Sequence, residues 1–266
     1  MPKVFAPNYE RDSHNWVLFP LNDSKDRNDI FPVETNKHPA KANLYLIQSV
    51  IEYVSEPGDT LMDIMAGSGT TMVGALTGRN IICIELNKDE YFPLLEMSRA
   101  AVEKLAPGCS IITINAACQA VLPIPCNHII FSPPYAQIMK SKGTDKLTVE
   151  KTDYDMAEYT FTHPQNLGLM ADWMWSQKME EAYKKFYDST KPGGTLTLIL
   201  KDHMKDRQRV RLTQAGVNAC VKAGYTLDKA EWFKWLTPGS VYNHIYAARG
   251  WEIVSDEDIV ILRRPL

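Results

Sequence analysis

The sequence lacks any apolar run approaching the roughly 18 to 20 residues that cross a bilayer, and its amino terminus, MPKVFAPNYERDSHNW, has no apolar signal core. No membrane association is expected, and a cytoplasmic protein of bacterial, archaeal or phage type is the reading. Cysteine is scarce: Cys83, Cys109, Cys118, Cys126 and Cys220 are odd in number and scattered. They form neither a C-x-x-C pair nor a His/Cys metal spacing, which excludes a disulfide framework and a zinc site. No metal is expected. An excess of positive charge is missing too, with 29 Lys and Arg against 32 Asp and Glu. The chain therefore does not coat nucleic acid by charge alone, although a local basic face is compatible with it. Internal repeats and low-complexity segments are absent.

What is present is the composition of an ordinary folded protein, 45% hydrophobic and 23% charged over 266 residues. That length suits one α/β unit spanning 1–266. Residues 1–37 are polar and rich in Asp and Asn, with Trp16, Phe19 and Phe31 as aromatic anchors, and read as an irregular arm packed on the body. Leu44, Ile47, Val50, Ile51 and Val54 recur at helical spacing, and Pro57-Gly58 closes that helix. Strands are expected at 60–64, 81–86, 111–114, 128–131, 195–200, 232–235 and 259–262. Helices are expected from Thr70, over 91–105, 173–186 and 210–223. Strands alternating with helices predict a mostly parallel sheet covered on both faces, with ligands beyond the carboxyl ends of the strands. Residues 136–172 are too long and too weakly periodic for a plain connection, and read as an insertion for target recognition.

The first strand runs into Asp63-Ile64-Met65-Ala66-Gly67-Ser68-Gly69-Thr70-Thr71, a glycine turn feeding a helix start. Gly67 and Gly69 allow backbone conformations and close approaches that a Cβ forbids, and exposed amides at a helix end favour a carboxylate. A lone G-x-G is also what a bare tight turn looks like. Here it has company: the second strand ends in Glu85-Leu86, where an acid can hold ribose hydroxyls, and the third in Asn115-Ala116, where an amide can bond adenine. A solvated acid and an ordinary turn amide are the plainer readings of Glu85 and Asn115. The lysine of G-x-x-x-x-G-K-[ST] and the third glycine of G-x-G-x-x-G are absent, so an adenosine carrying a small zwitterion fits better than ATP or NAD.

The fourth strand ends in Phe131-Ser132-Pro133-Pro134-Tyr135. Two prolines fix the backbone and free carbonyls from ladder pairing. An exocyclic amine conjugated to a base ring is a poor nucleophile. Two acceptors on its hydrogens, Ser132 and a corner carbonyl, would favour a more tetrahedral nitrogen for in-line attack on a sulfonium methyl. Tyr135 would stack on a base rotated out of its helix.

The Asp63 to Thr71 turn followed by Ser132-Pro133-Pro134-Tyr135 resembles the DNA amino-methyltransferases that act on N4 of cytosine or N6 of adenine. His38-Pro39-Ala40-Lys41, the following helix and Lys191-Pro192-Gly193-Gly194 are in keeping. The resemblance implies a Rossmann-like class I methyltransferase fold with a seven-stranded, mostly parallel sheet and helices on both faces. It implies S-adenosyl-L-methionine held by His38, Lys41, Asp63, Ala66, Gly67, Ser68, Gly69, Thr70, Thr71, Glu85, Leu86, Asn115 and Ala116, with the target amine at Ser132, Pro133, Pro134 and Tyr135. Serine in the first place of the tetrapeptide is more typical of the cytosine enzymes. A DNA substrate with a flipped base is the implied partner, and a homodimer and a cognate restriction endonuclease are compatible with the family. Two departures stand out: Ile64-Met65 follows the strand-end acid where relatives carry Pro-Phe, and a large separate recognition domain is missing.

Recognition then falls to the insertion, where Lys140 and Lys142 suit phosphates, and to the basic stretch Lys201 to Arg211 with Lys201 and His203. A flexible loop and a helix with a charged face are the plainer readings of these two segments. Trp232, Phe233 and Trp235 read as core. Cys126 follows a proline, as in carbon-5 cytosine methyltransferases, but falls at the wrong end of its strand for a nucleophile. An RNA guanine amine or a protein glutamine would suit the same chemistry, and a non-catalytic binding module of this fold is the remaining alternative.

Overall fold

The computed structural model describes residues 3–38, 41–134, 163–205, 208–237 and 243–266. Its strands are β1 (Thr60–Asp63), β2 (Asn80–Glu85), β3 (Ile111–Asn115), β4 (Cys126–Phe131), β5 (Thr190–Leu200), β6 (His203–Lys205), β7 (Gln208–Val210), β8 (Thr226–Leu236) and β9 (Asp256–Arg263). Seven of them form one sheet in the order β3-β2-β1-β4-β5-β9-β8. All neighbours pair in parallel except at β9, which runs antiparallel to both β5 and β8. This is the Rossmann-like class I architecture that the motifs imply.

The alternation of side chains explains why nearly every central strand residue is apolar. Leu61, Ile81, Cys83, Ile130, Ile199 and Ile261 face one core. Met62, Ile82, Ile84, Ile129, Phe131, Leu198 and Leu262 face the other. A strand buried on both faces has no polar side to spend, and full burial of each Ile or Leu contributes about 1.5 to 3 kcal/mol. The first core is closed by α2 (Leu44–Val54) and the amino-terminal arm, and the second by α5 (Asp172–Ser189) and α6 (Leu212–Ala223). Asn43 caps α2 by accepting the amides of Tyr45 and Leu46, so this helix starts two residues after Ala42. The remaining helices are α1 (Ser24–Asn28), α3 (Tyr91–Leu105), α4 (Cys118–Val121) and α7 (Asn243–Ala248).

The arm has a second task. Val17 bonds β8 in both directions, its amide to the Lys234 carbonyl at 2.9 Å and its carbonyl to the Leu236 amide at 3.0 Å. It thereby covers the exposed edge of the sheet, which would otherwise template unwanted strand pairing. Phe19 and Phe31 are buried as anchors, whereas Trp16 stays half-exposed under the Lys234 ammonium.

Several expectations are corrected. The helix expected from Thr70 is a 3-10 helix, Thr70–Thr77, bounded by Gly69 at φ +87° and Gly78 at φ +85°. Lys201 to Arg211 is not a charged helix: it holds the β6–β7 hairpin, and Arg209 is spent on Asp202 at 2.9 Å and Asp256 at 3.4 Å. Within the stretch 136–172 expected as an insertion, residues 136–162 lie outside the described residues, and Leu167–Leu169 forms a 3-10 turn with Leu167 buried in the second core. Among the aromatics at 232–235, only Trp235 is fully buried.

Candidate active site

Strand order reverses between β1 and β4: β2 and β3 lie on one side of that pair, β5 on the other. Crossover connections leave opposite faces there and open a cleft beyond the carboxyl ends. The cleft encloses about 460 Å3, its open mouth included. Its walls are Asp63 and the loop to Thr71, His38 and Lys41 from the arm, and Ser132 at the end of β4. Ile47, Ile130 and Ile199 supply an apolar floor, and Met65, at the departure from the family pattern, forms part of the wall.

The glycine loop is held from behind. Glu85 is buried, and its two carboxylate oxygens accept the amides of Gly67 at 2.8 Å and Asn87 at 2.7 Å. Burial, opposed by these bonds, pushes its carboxyl up to about 7. Asp63 accepts from the Thr71 hydroxyl at 2.6 Å and the Met65 amide at 3.1 Å, and burial raises it to about 6. The Ser98 hydroxyl donates to the Ser68 carbonyl at 2.6 Å. Gly67 lies at φ +53°, and a Cβ there would come 2.7 Å from His38 Nε2. The close approach anticipated at this glycine is thus to an imidazole of the protein itself.

His38 is buried, packs its ring edge-to-face on Tyr91, and is held neutral by burial, assisted by the Lys41 and Arg27 charges, which lowers it to about 4. Its Nδ1 is buried with no hydrogen-bond partner among the described residues, and the residue lines the cleft. Such an orphan asks for a ligand group. Lys41 bonds the carbonyls of Asn36 and His38, each at 2.8 Å. The donor set suits a zwitterion: hydroxyls and a lysine for a carboxylate, and a buried acid, Asp63, for a cationic centre. S-adenosylmethionine carries both.

Of the other expected cofactor residues, Gly69 supplies the left-handed step of the loop, and Leu86, Asn115 and Ala116 sit beside Glu85 at the ends of β2 and β3, outside the cleft walls. Asn115 donates its amide to the carbonyls of Glu85 at 2.9 Å and Leu86 at 3.3 Å, and the Ala116 amide bonds the Glu85 carbonyl. These bonds staple two strand ends together. Arg27 was not foreseen. Its guanidinium is 2% exposed, paired with Asp23 at 2.7 Å, and bonds the Thr70 hydroxyl at 3.0 Å and the Ala42 carbonyl at 2.6 Å. A charged stretch such as Asp23 to Asp29 reads as solvated. The only sequence signal was the i,i+4 pair of Asp23 and Arg27.

On the target side, Ser132 is exposed at the cleft, Pro133 is buried and Pro134 half-buried. The Pro134 carbonyl accepts the indole N–H of Trp175 at 2.8 Å. Tyr135, Lys140 and Lys142 lie outside the described residues, as do Pro39 and Ala40. Lys201 stands at the end of β5 with its ammonium on the Thr237 hydroxyl, and His203 is exposed on β6. Cys126 lies at the opposite end of β4, fully buried, with its thiol pushed by burial up to about 12, which disqualifies it as a nucleophile. Among the described residues no His/Cys/Asp/Glu group is arranged to hold a metal, and no helix is long and apolar enough to cross a membrane.

Comparison with known proteins bears on the family and the fold. The family model described as DNA methylase, for N6 and N4 methylation, matches residues 4–96. No curated protein sequence matches the chain. Among solved structures the chain is similar to TrmN from Thermus thermophilus, at 12% identity and a TM-score of 0.51 over 86% of this chain, and spans 52% of that protein's length. It is similar as well to a SAM-dependent methyltransferase from Methanosarcina mazei, at 12% identity and a TM-score of 0.50, covering 82% of this chain and 97% of that one. These likenesses speak to the fold. Residues 4–96 thus match the DNA methylase family model, and the chain as a whole has the class I S-adenosylmethionine-dependent methyltransferase fold.

Proposed function

We propose that the protein methylates an exocyclic amino group of a DNA base, N4 of cytosine in preference to N6 of adenine. One observation carries the reading: Ser132 and the Gly67 loop line a single cleft at the adjacent ends of β4 and β1. Bound S-adenosylmethionine supplies an electrophilic sulfonium methyl. The chain's own residues do the rest. Asp63 favours a cationic centre in the cleft, Lys41 and the Thr70 hydroxyl suit the cofactor's carboxylate, Thr71 holds Asp63 in place, and the apolar floor keeps water away. Ser132 and the Pro133 carbonyl accept the hydrogens of the target amine and localise its lone pair, and Tyr135 stacks on the flipped base. Serine at 132, as in the cytosine enzymes, favours cytosine.

DNA is the proposed partner, with phosphates met by Lys140, Lys142, Lys201 and His203. Homodimerisation and pairing with a restriction endonuclease belong to the same reading. The test is transfer of radiolabelled methyl to unmethylated DNA, tRNA and protein extract, followed by nucleoside mass spectrometry. Label in DNA as N4-methylcytosine is expected. Label confined to RNA or protein discards the DNA reading, and label as N6-methyladenine discards the base preference.

A further inference from the structure

The two prolines at 133 and 134 carry no N–H, so this part of the chain cannot tie itself down by donating a hydrogen bond. Their rings set φ at both positions, and a residue preceding proline is confined to extended backbone, which limits ψ of Ser132 and Pro133. The torsion left soft is ψ of Pro134, and it turns the plane of the Pro134 carbonyl. That carbonyl is the one gripped from outside, by the indole of Trp175 at 2.8 Å. Trp175 lies in the first turn of α5, distant in sequence, and is 7% exposed, wedged in the second core beside Leu167 and Met179. A buried indole N–H donates one bond and has no second use for it. Its partner here is the corner that ends at the cleft.

We infer that Trp175 is a positioning residue for methyl transfer: its indole N–H locks the Pro134 carbonyl, and through it the acceptors of Ser132 and Pro133, at the angle the amine requires. The inference rests on the methyl-transfer reading above. It separates two duties, since among the described residues the cofactor loop's hydrogen bonds go to Glu85, Asp63, Ser98 and Arg27 and not to Trp175. A loosened corner should slow the chemical step and leave cofactor binding alone, because misplacement by a fraction of an ångström acts on the aligned state rather than on affinity.

Trp175→Phe keeps a ring in the core and removes the N–H. Against whichever acceptor pool the wild type labels, kcat should fall about tenfold or more, with KM for nucleic acid and Kd for S-adenosylmethionine by calorimetry changed less than threefold. Met179→Ala, which removes packing from the same core, controls for lost packing and should keep kcat while lowering Tm. In the 15N spectrum of the wild type, the indole resonance that disappears in the Trp175→Phe variant should be protected from exchange. An unchanged kcat, an equal loss in Met179→Ala, or a freely exchanging indole proton overturns the inference. A wild type that labels no pool removes the methyl-transfer reading and this inference with it, a result distinct from an active wild type matched by its Trp175→Phe variant.

Discussion

The two sides of the cleft are built in contrasting ways. On the cofactor side, the loop from Asp63 to Thr71 is saturated with bonds from residues near it in the fold: Glu85 under Gly67, Asp63 under Thr71, Ser98 over Ser68 and Arg27 on Thr70. On the target side, two prolines remove the donors, Ser132 is left exposed, and a single indole from α5 holds the last carbonyl. A site that must grip one ligand repeatedly is stiffened from within. A corner that must admit a bulky base is stiffened from outside, where the brace does not occupy the opening.

The contrast can be broken by pH, because the cofactor side carries two buried acids whose carboxyls are raised, Asp63 and Glu85. Glu85 moves from an ordinary 4.5 to about 7 in the fold. A carboxyl raised on folding stabilises the fold fully below its unfolded pKa, and that contribution is lost as pH rises through the folded value. For Glu85 this is on the order of 3 kcal/mol between about pH 4.5 and 7. Asp63, raised from 3.8 to about 6, acts in the same direction between those values. The ligand-free Tm should therefore decline from pH 5 to pH 8, and decline less with S-adenosylmethionine, whose cationic centre favours the ionised acids. A flat profile would remove the buried acids from the description.

Next in size is Ser132→Ala, expected to reduce methyl transfer about a hundredfold, comparable to loss of one preorganised polar group at a reacting centre, with calorimetric affinity for S-adenosylmethionine intact. A parallel loss of affinity would merge the two sides into one. Smallest is Asp63→Asn, which can retain a bond to the Met65 amide while losing charge. Cofactor affinity should drop about tenfold, and S-adenosylhomocysteine, lacking the sulfonium, should lose less. Equal losses for both ligands would take Asp63 away from the cationic centre.

Much of the fold was legible because local pattern and global role coincide. The helix expected at 91–105 is α3 to the residue, and the apolar runs near 81–86 and 111–114 are β2 and β3. Where they part, the reading failed for identifiable reasons. Arg27 sits in a stretch of alternating charge and is buried only because α1 folds against Thr70 and Ala42. Arg209 reads as part of a phosphate-facing strip, yet Asp202 and Asp256 take up its charge. Trp175 offered one aromatic among several in an amphipathic helix, with nothing in its spacing to name Pro134 as its partner.

Periodicity, the glycine turn and the double proline were enough to determine strands, helices and the ends at which chemistry gathers, since these depend on neighbours in the chain. Tertiary structure alone decided that β1 and β4 lie side by side, that His38 closes over Gly67, and that an indole over forty residues away braces the corner. Such pairings are set by which faces must be buried together. The energy of burial depends on contacts the order of residues does not contain.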